Sequence, residues 1–287
     1  MIKRKIKKCI KKVKTRLKKV SYINNYIYKG ELLNGRTALI TGGTSGIGLS
    51  IAKTFLLNGC NVIITGRNSS KIDKAVGELK KEITNKKQVV KGIVFDISDT
   101  KNIENNFNNI ISDNNKIDIL VNNAGIIAGE NLGSTKIDDY EICLKTNLEG
   151  TYFLSQTFFN YLKQNKMKGN ILNILSSSSN RPAVKPYTLT KWGLKGLTIG
   201  MAKKFIEYGV VVNGIAPGPT YTSMLVQDAE NEKDLKLESN PAGRYTTPEE
   251  IANGALFLVS DMGKMIVGDI IYMTGGAGII TVDDIVY

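Results

Sequence analysis

The sequence predicts an α/β fold: a doubly wound parallel sheet of about seven strands with helices on both faces. Two observations lead to this prediction. From residue 36 onward, short apolar runs alternate with longer amphipathic stretches, which is typical of buried parallel strands joined by crossover helices. The first apolar run leads into the glycine-rich turn TGGTSGIG (41–48), and a helical pattern follows directly.

The apolar runs are predicted to be buried strands, and the stretches between them to be helices. No internal repeat or low-complexity linker interrupts the chain after residue 35, so residues 31–287 are expected to form one domain. The predicted strands are TALIT (37–41), NVIIT (61–65), VVKGIVF (89–95), IDILVN (117–122), GNILNIL (169–175), VVVNGIA (210–216) and DIIYMT (269–274). The predicted helices lie around 47–58, 69–83, 101–113, 137–165, 187–207 and 248–260.

Residues 1–30 are predicted to be a basic amphipathic tail and a connector. Residues 1–20 contain eleven Lys or Arg and no acid, whereas the rest of the chain has 28 basic and 26 acidic residues. At helical spacing, the apolar residues of the tail fall within an arc of about 100°, with the cations outside it. Two interpretations of this tail are open. It is either a helix that lies on an anionic membrane surface, or a basic arm that is solvated or docks on a partner. Because the body is nearly neutral, nucleic-acid binding is not expected.

The composition excludes several kinds of active site. The 287 residues include no histidine, which removes the usual metal ligand and every Ser–His or Cys–His nucleophile. The three cysteines, Cys9, Cys60 and Cys143, are scattered and form no CxxC pair, so neither a disulfide framework nor a metal site is expected. No apolar run reaches the roughly 20 residues that span a bilayer. These features favour a cytoplasmic protein, peripheral on the inner membrane surface if the tail binds lipid.

The glycine-rich turn predicts a dinucleotide site. Gly42, Gly46 and Gly48 lie between a strand and a helix, where glycines let the backbone approach a pyrophosphate and the helix N-terminus supplies N–H donors. An ordinary glycine-rich turn is the alternative. NAD-selective sites usually have an acid after the second strand, but here that strand ends at Arg67. A guanidinium there suits a 2′-phosphate, so NADP(H) is expected to be preferred, with NAD(H) as the alternative.

Tyr187 and Lys191 are candidates for proton transfer. They are four residues apart on a predicted helix and so share a face. A neighbouring ammonium is expected to lower the pKa of a phenol, which is otherwise too high for a base at neutral pH. Such a tyrosine can give a proton to a carbonyl oxygen or take one from an alcohol.

The motifs together resemble the short-chain dehydrogenase/reductase family, in its single-domain branch. The resemblance covers residues 36 to about 275, and its motifs come in the family's order. They are TGGTSGIG (41–48), Asp96 in FDISD, NNAG (122–125), Asn147 in KTNLEG, a serine after the fifth strand, Tyr187-xxx-Lys191 and PGPTYT (217–222). The resemblance implies a Rossmann-fold oxidoreductase that moves hydride between a nicotinamide cofactor and a carbonyl or secondary alcohol.

The resemblance also implies roles for individual residues. Tyr187 would be the acid/base, Lys191 would lower its pKa and bind the ribose, and Ser176 would orient the substrate oxygen. Asn147 would hold a water in the proton relay, although it could instead cap or kink its helix. Asp96 would contact the adenine, although it could instead cap the next helix. The implied cofactor-binding residues are Gly42, Thr44, Ser45, Gly46, Ile47, Gly48, Arg67, Asp96, Ile97, Asn123, Ala124, Gly125, Tyr187, Lys191, Pro217, Gly218, Thr220 and Thr222.

The four consecutive serines 176–179 depart from the family's pattern. Alignment on Asn173 and Pro182 places Ser176 at the catalytic serine, with eleven positions to Tyr187 and a loop two residues shorter than the pattern. The shorter loop leaves Ser177 and Ser178 as substitutes, while Ser179 is expected in the turn.

The loop before Tyr187 and the segment after the PG turn are expected to contact the substrate. Arg181 and Lys185 flank the short loop before Tyr187, which suggests an anionic small molecule. The segment Met224–Asn240 is expected to form a mobile lid. The general pattern is similar to bacterial ketoacyl-carrier-protein reductases, some of which serve surface-polysaccharide pathways, and a homodimer or homotetramer is expected. A cofactor-binding regulator or membrane-surface scaffold without turnover is the competing function.

Overall fold

A computed structural model describes residues 30–112, 116–225 and 235–278. In these ranges the seven predicted strands form one parallel sheet in the order β3-β2-β1-β4-β5-β6-β7, so the predicted fold class is confirmed. The strands are β1 (Thr37–Thr41), β2 (Asn61–Gly66), β3 (Val90–Val94), β4 (Ile119–Asn122), β5 (Gly169–Ile174), β6 (Val210–Pro217) and β7 (Ile270–Met273). The tail predicted for residues 1–20 lies outside the described residues.

Helices connect the strands as expected, with one difference. The stretch 137–165, predicted as one helix, is divided by a π-helical turn at Lys145–Glu149. Gly150 follows this turn. A Cβ at this position would lie 2.3 Å from the Ile97 carbonyl oxygen, so the backbone of Gly150 packs closely against the segment that follows β3. The helices are α1 (Gly46–Leu56), α2 (Ser69–Leu79), α3 (Ile103–Ser112), α4 (Ile137–Leu144), α5 (Gly150–Gln164), α6 (Pro186–Phe205) and α7 (Pro248–Val259).

The core lies in two layers, one on each face of the sheet. Consecutive strand residues belong to different layers: Ile40 and Ile64 to the first, Leu39 and Ile63 to the second. The first layer packs against α1, α2 and α7, and the second against α3, α5 and α6. Coverage on both faces explains why inner strands such as β2 are buried and largely apolar along their length rather than alternating.

The amino ends of the central strands are closed by an arginine. Arg36, directly before β1, donates from Nε to Asp118 Oδ2 (2.6 Å), from Nη1 to the Val259 carbonyl (2.6 Å) and from Nη2 to Asn170 Oδ1 (2.8 Å). Asp118 Oδ1 also accepts from the backbone N–H of Thr37 (2.9 Å). One guanidinium therefore ties together β1, β4, β5 and the end of α7.

The carboxyl ends are open. β1 pairs with β2 on one side and with β4 on the other, so the chain reverses its direction across the sheet beside β1. Ligands of doubly wound sheets bind outside the carboxyl ends at such a reversal. Within the described ranges, every helix is too short or too polar to traverse a bilayer.

Candidate active site

The glycine-rich turn leaves the N-terminus of α1 available to a ligand. Gly42 (φ 64°) and Gly46 (φ 53°) have left-handed backbone conformations that favour glycine. Ser45 occupies the N-cap position of α1 in an extended conformation, but its side chain makes no capping hydrogen bond. Ser45 therefore leaves the first N–H groups of α1 uncapped at a helix end that favours anions.

Two side chains fix this turn to the neighbouring strand. Asn123 Nδ2 donates to the carbonyls of Thr41 (2.9 Å) and Gly42 (3.0 Å). The Thr41 hydroxyl oxygen accepts from the backbone N–H groups of Asn123 and Ala124, at 3.0 Å each. A Cβ on Gly48 would lie 2.4 Å from Asn123 Nδ2, so Gly48 is needed for this packing.

A cavity of about 510 Å³ opens at the carboxyl ends of the strands. The residues expected to bind the cofactor line this cavity, with the exception of Gly48. The lining members of that set are Gly42, Thr44, Ser45, Gly46, Ile47, Arg67, Asp96, Ile97, Asn123, Ala124, Gly125, Tyr187, Lys191, Pro217, Gly218, Thr220 and Thr222.

Arg67 and Asp96 lie on the wall formed by the ends of β2 and β3. Arg67 is exposed, and the next residue, Asn68, caps α2 by accepting from the Lys71 N–H (2.9 Å). Asp96 Oδ1 accepts from the N–H (2.9 Å) and hydroxyl (2.7 Å) of Ser98. Asp96 thus shapes the turn after β3 and faces the cavity, and it does not cap the following helical turn, whose N-cap is Asp99.

The loop after β6 covers the glycine turn. Gly218 passes so close to β7 that a Cβ would lie 2.7 Å from the Thr274 Cα. The Thr222 methyl carbon is 3.2 Å from the place a Cβ would take on Gly46. Thr220 is buried, and its hydroxyl donates to the Gly218 carbonyl (3.0 Å). The loop therefore forms one wall of the cavity directly opposite the start of α1.

Tyr187 and Lys191 lie on the first turns of α6, as the spacing predicted. The Lys191 side chain is buried, and its Nζ donates to the Ile174 carbonyl (2.9 Å) at the end of β5. Nζ is 5.6 Å from the centroid of the Tyr187 ring. Burial lowers the pKa of Lys191 to about 8, because desolvation disfavours the ammonium.

Ser176 and Tyr187 meet at the cavity. The nearby Ser176 hydroxyl lowers the pKa of the Tyr187 phenol, but burial raises that pKa more strongly. The net pKa of Tyr187 is therefore above its usual value. We expected Lys191 to lower the pKa of Tyr187. In the structure, the residue that lowers this pKa is Ser176 instead.

The four serines occupy different environments in a segment we call the serine loop, residues 176–181. Ser176 is the N-cap of a short 3₁₀ turn (Ser177–Asn180), and its Oγ accepts from the Ser178 N–H (3.1 Å). Ser179 is fully buried, and its Oγ donates to the Ser176 carbonyl (2.8 Å). Ser177 is buried and Ser178 is half-buried, and both line the cavity with Ser176. Ser176 is thus the member of the set placed against Tyr187.

Asn147 lies behind the cavity rather than on its wall. It is buried in the π-helical turn, and its Oδ1 accepts from the Ile126 N–H (2.8 Å). Its Nδ2 donates to the Ile126 carbonyl (2.9 Å) and to the Thr190 hydroxyl (3.2 Å). This side chain thereby joins the loop after β4 to α6, beside the cavity residue Gly125, where a Cβ would lie 3.3 Å from Asn147 Oδ1.

The cavity also contains residues that the sequence analysis did not assign to the cofactor site. Arg181 lines it, whereas Lys185 does not. Met224 and Leu225, the first described part of the expected lid, are exposed at the wall. Most of the missed residues directly adjoin the motifs, so a search along the carboxyl ends of the strands would have found them. They are Thr65, Gly66, Phe95, Ile126, Ile127, Thr146, Ile174, Leu175, Pro219 and Ser223.

Comparison with known proteins identifies the family. Residues 36–233 match the family described as short chain dehydrogenase. The chain belongs to the short-chain dehydrogenase family. It is accordingly an oxidoreductase that acts on CH–OH and C=O groups.

The relatives of this short-chain dehydrogenase act on different substrates. It is 37% identical to the 3-oxoacyl-[acyl-carrier-protein] reductase FabG of Aquifex aeolicus, over 85% of this chain and 98% of the relative. It is 34% identical to the gluconate 5-dehydrogenase of Gluconobacter oxydans, over 85% and 95%. It is also similar to the crystal structure of a gluconate 5-dehydrogenase from Burkholderia cenocepacia in complex with NADP and tartrate. That match has a TM-score of 0.76 and 32% identity, and covers 86% of this chain and 96% of the other.

Proposed function

We propose that this short-chain dehydrogenase uses NADP(H) to interconvert a carbonyl and a secondary alcohol on an anionic small molecule. The observation that carries the proposal is that the side chains of Ser176 and Tyr187 line the same cavity, with Lys191 buried one turn further along α6. This arrangement places a proton donor and a hydrogen-bond donor beside each other where a substrate oxygen can reach both.

The residues present fit a dinucleotide. The uncapped N-terminus of α1 and the left-handed glycines Gly42 and Gly46 suit a pyrophosphate. Asp96 and Ile97 line the cavity after β3, and Lys191 lines it beside the end of β5, which suits an adenine at one side and a nicotinamide ribose at the other. The chemistry that a bound nicotinamide cofactor supplies is hydride transfer.

The chain's own residues then handle the proton. In reduction, Tyr187 Oη gives its proton to the substrate carbonyl oxygen while Ser176 Oγ donates a hydrogen bond to the same oxygen. A pKa above the usual value keeps the phenol protonated and ready to donate at neutral pH. Lys191, buried on α6 with its Nζ held by the Ile174 carbonyl, is proposed to bind the nicotinamide ribose. Asn147 supports the relay by fixing Ile126 and Thr190 beside Lys191.

Arg67 is proposed to favour NADP(H) over NAD(H). It is exposed on the cavity wall after β2, where a planar guanidinium can pair with a 2′-phosphate. The relative from Burkholderia cenocepacia was crystallised with NADP, which supports the preference. NAD(H) is the weaker cofactor in this proposal.

Arg181 is proposed to recognise a negative charge on the substrate. It lies on the serine loop and lines the cavity together with Ser176. Lys185 is not on the wall, so the anion proposal now depends on Arg181 alone. The tartrate bound to the relative from Burkholderia cenocepacia supports a substrate that carries a carboxylate. The relatives include a 3-oxoacyl reductase and a gluconate dehydrogenase, so sugar oxo acids and oxoacyl thioesters are suitable test compounds.

The assembly and location are also proposals. Exposed apolar side chains on α4, α5 and α6, among them Ile137, Tyr152 and Ile199, support a homodimer or homotetramer. The cysteine usage supports a cytoplasmic location. Peripheral contact of residues 1–20 with an anionic membrane is proposed from their charge alone.

The test is a panel of oxo acids, sugar oxo acids, oxoacyl thioesters and matched uncharged ketones, assayed by the loss of NADPH absorbance. We expect turnover with at least one carboxylate-bearing carbonyl compound, and a far lower rate with a Tyr187→Phe variant that still binds NADPH. Turnover confined to uncharged ketones would contradict the anionic substrate. Tight NADPH binding without turnover on any compound would favour the competing regulator or scaffold.

A further inference from the structure

A polar network holds the serine loop from the side away from the cavity. Asn180 Oδ1 accepts two hydrogen bonds, one from Lys195 Nζ (2.6 Å) and one from Tyr272 Oη (2.8 Å). Lys195 lies on α6, one turn beyond Lys191, and Tyr272 lies on β7. A single side-chain oxygen therefore joins the loop to a helix and to a strand.

The helix side of this network is reinforced by aromatic rings. Lys195 Nζ lies 5.3 Å from the centroid of the Trp192 ring and 5.7 Å from that of Tyr272, distances at which a cation is attracted to a ring face. Trp192 Nε1 donates to the Arg181 carbonyl (2.8 Å). The last two residues of the serine loop are thus both attached to α6.

The strand side of the network reaches the backbone of Ser176. Tyr272 Oη is 3.3 Å from Ser179 Oγ, and Ser179 donates its hydroxyl proton to the Ser176 carbonyl (2.8 Å). Each hydroxyl has one proton. Because Ser179 donates its proton to the Ser176 carbonyl, Tyr272 donates its own proton to Asn180 or to Ser179. Both of these acceptors belong to the serine loop.

Ser176 needs such support because the sheet no longer holds it. β5 ends at Ile174, and the last sheet-like hydrogen bond runs from the Leu175 N–H to the Ile215 carbonyl (2.7 Å). A donor in an active site must be fixed closely in position, and loop residues depend on their supporting contacts for this.

We propose that Tyr272 is a positioning residue: through Asn180 and Ser179 it holds the serine loop so that Ser176 Oγ meets Tyr187. This inference rests on the proposed function, because it assigns to Tyr272 the task of placing a hydroxyl that acts on the substrate. Tyr272 itself is not on the wall of the cavity described above, so it acts only through the loop.

The experiment compares Tyr272→Phe with the parent enzyme, using the full chain and the substrate found in the panel. The change keeps the ring beside Lys195 and removes only the hydroxyl. We expect kcat to fall roughly three- to tenfold, the range for one lost hydrogen bond, with the Kd for NADPH unchanged. The matched control is Tyr208→Phe, whose ring packs against Phe159 away from the cavity, and it should keep the parental kcat. Asn180→Ala provides a second variant should Tyr272→Phe fail to fold.

The deciding readout is a double-mutant cycle with Ser176→Ala. If Tyr272 acts through Ser176, Tyr272→Phe lowers kcat in the parent but has no further effect in the Ser176→Ala background. Equal losses in both backgrounds, or parental kcat in Tyr272→Phe, would overturn the positioning role. A fully active Ser176→Ala would instead contradict the proposed function itself, so the two failures are distinguishable.

Discussion

The two ends of the sheet contrast in how their polar groups are used. At the amino end, Arg36 donates to Asp118, Val259 and Asn170, and these hydrogen bonds close the ends of three strands. At the carboxyl end, α1 begins without a side-chain cap, two glycines have left-handed conformations, and a lysine is buried beside a tyrosine. One end has its polar groups paired within the protein, and the other keeps donors available to a ligand. Stability and chemistry are therefore expected to respond to different substitutions.

The largest effect should come from removing the proton donor at the carboxyl end. Tyr187→Phe deletes the phenolic oxygen but keeps the ring, so kcat should fall by roughly 10³–10⁴ while folding is retained. Steady-state kinetics and thermal denaturation on the same preparation check both parts. A variant that loses folding as well as activity would weaken the contrast between the two ends.

Ser176→Ala should have the next largest effect. It removes a preorganised donor to the developing oxyanion, which typically costs about 10²–10³ in kcat. Ser178→Ala is the matched control on the same wall and should cost far less. Should Ser178→Ala prove the crippling change and Ser176→Ala stay active, the serine assignment would be wrong while that of Tyr187 and Lys191 would stand.

At the amino end the effect should be on stability alone. Arg36→Met leaves the Asp118 carboxylate and two other acceptors without their partner, and the free energy of unfolding should fall by about 2–3 kcal/mol. The surface pair of Lys53 and Glu82 (2.8 Å) supplies the control, since Lys53→Met should change stability by less than about 1 kcal/mol. Urea unfolding measures both, and kcat per folded molecule should remain parental in each.

Lys191 should make the carboxyl end a source of instability that depends on pH. The pKa of Lys191 is about 8 in the folded protein, whereas its ordinary value, which applies to the unfolded chain, is 10.5. Between these values the unfolded chain holds a proton that the folded chain has released, so this group raises stability as pH increases. Below pH 8 both states hold the proton, and the folded protein bears the full cost of the buried ammonium.

Lys191→Met tests this. Around pH 7 the variant should exceed the parent in the free energy of unfolding by on the order of 1–3 kcal/mol, although it loses activity. The difference should shrink as pH rises from 8 toward 10.5. Urea unfolding at several pH values checks it, and a difference that does not change with pH would show that the buried charge is not its cause.

The smallest effect should be on the choice of cofactor. Arg67→Asp replaces the proposed 2′-phosphate partner by an acid that can hold ribose hydroxyls instead, so the ratio of Kd values for NADH and NADPH should shift by about tenfold or more toward NADH. Fluorescence titration with both cofactors measures the ratio. Equal Kd values in the parent protein would remove the assigned role of Arg67.

Much of this arrangement could be predicted from local sequence. The seven strands follow from apolar runs such as NVIIT, and the glycine turn and the pair of Tyr187 and Lys191 follow from spacing. The π-helical turn was missed because the helical pattern continues through KTNLEG without a break. The packing of Gly48 against Asn123 and the contact of Ser179 with Tyr272 could not be predicted, because they depend on residues distant in the chain. Only the fold shows that Arg181, and not Lys185, lies on the cavity wall.

The π-helical turn at Lys145–Glu149 makes this stretch of chain sensitive to changes in length. Such a turn accommodates one more residue than an α-helical turn would between the same two flanking segments. Deleting one residue there would restore an α-helical turn and leave α5 in place, whereas inserting one would rotate α5 by about 100° relative to α4. Phe158 and Leu162, fully buried in the core, would then leave their places between the sheet and α3. Natural variation between α4 and α5 is therefore expected as substitutions or single deletions, whereas one-residue insertions should be excluded.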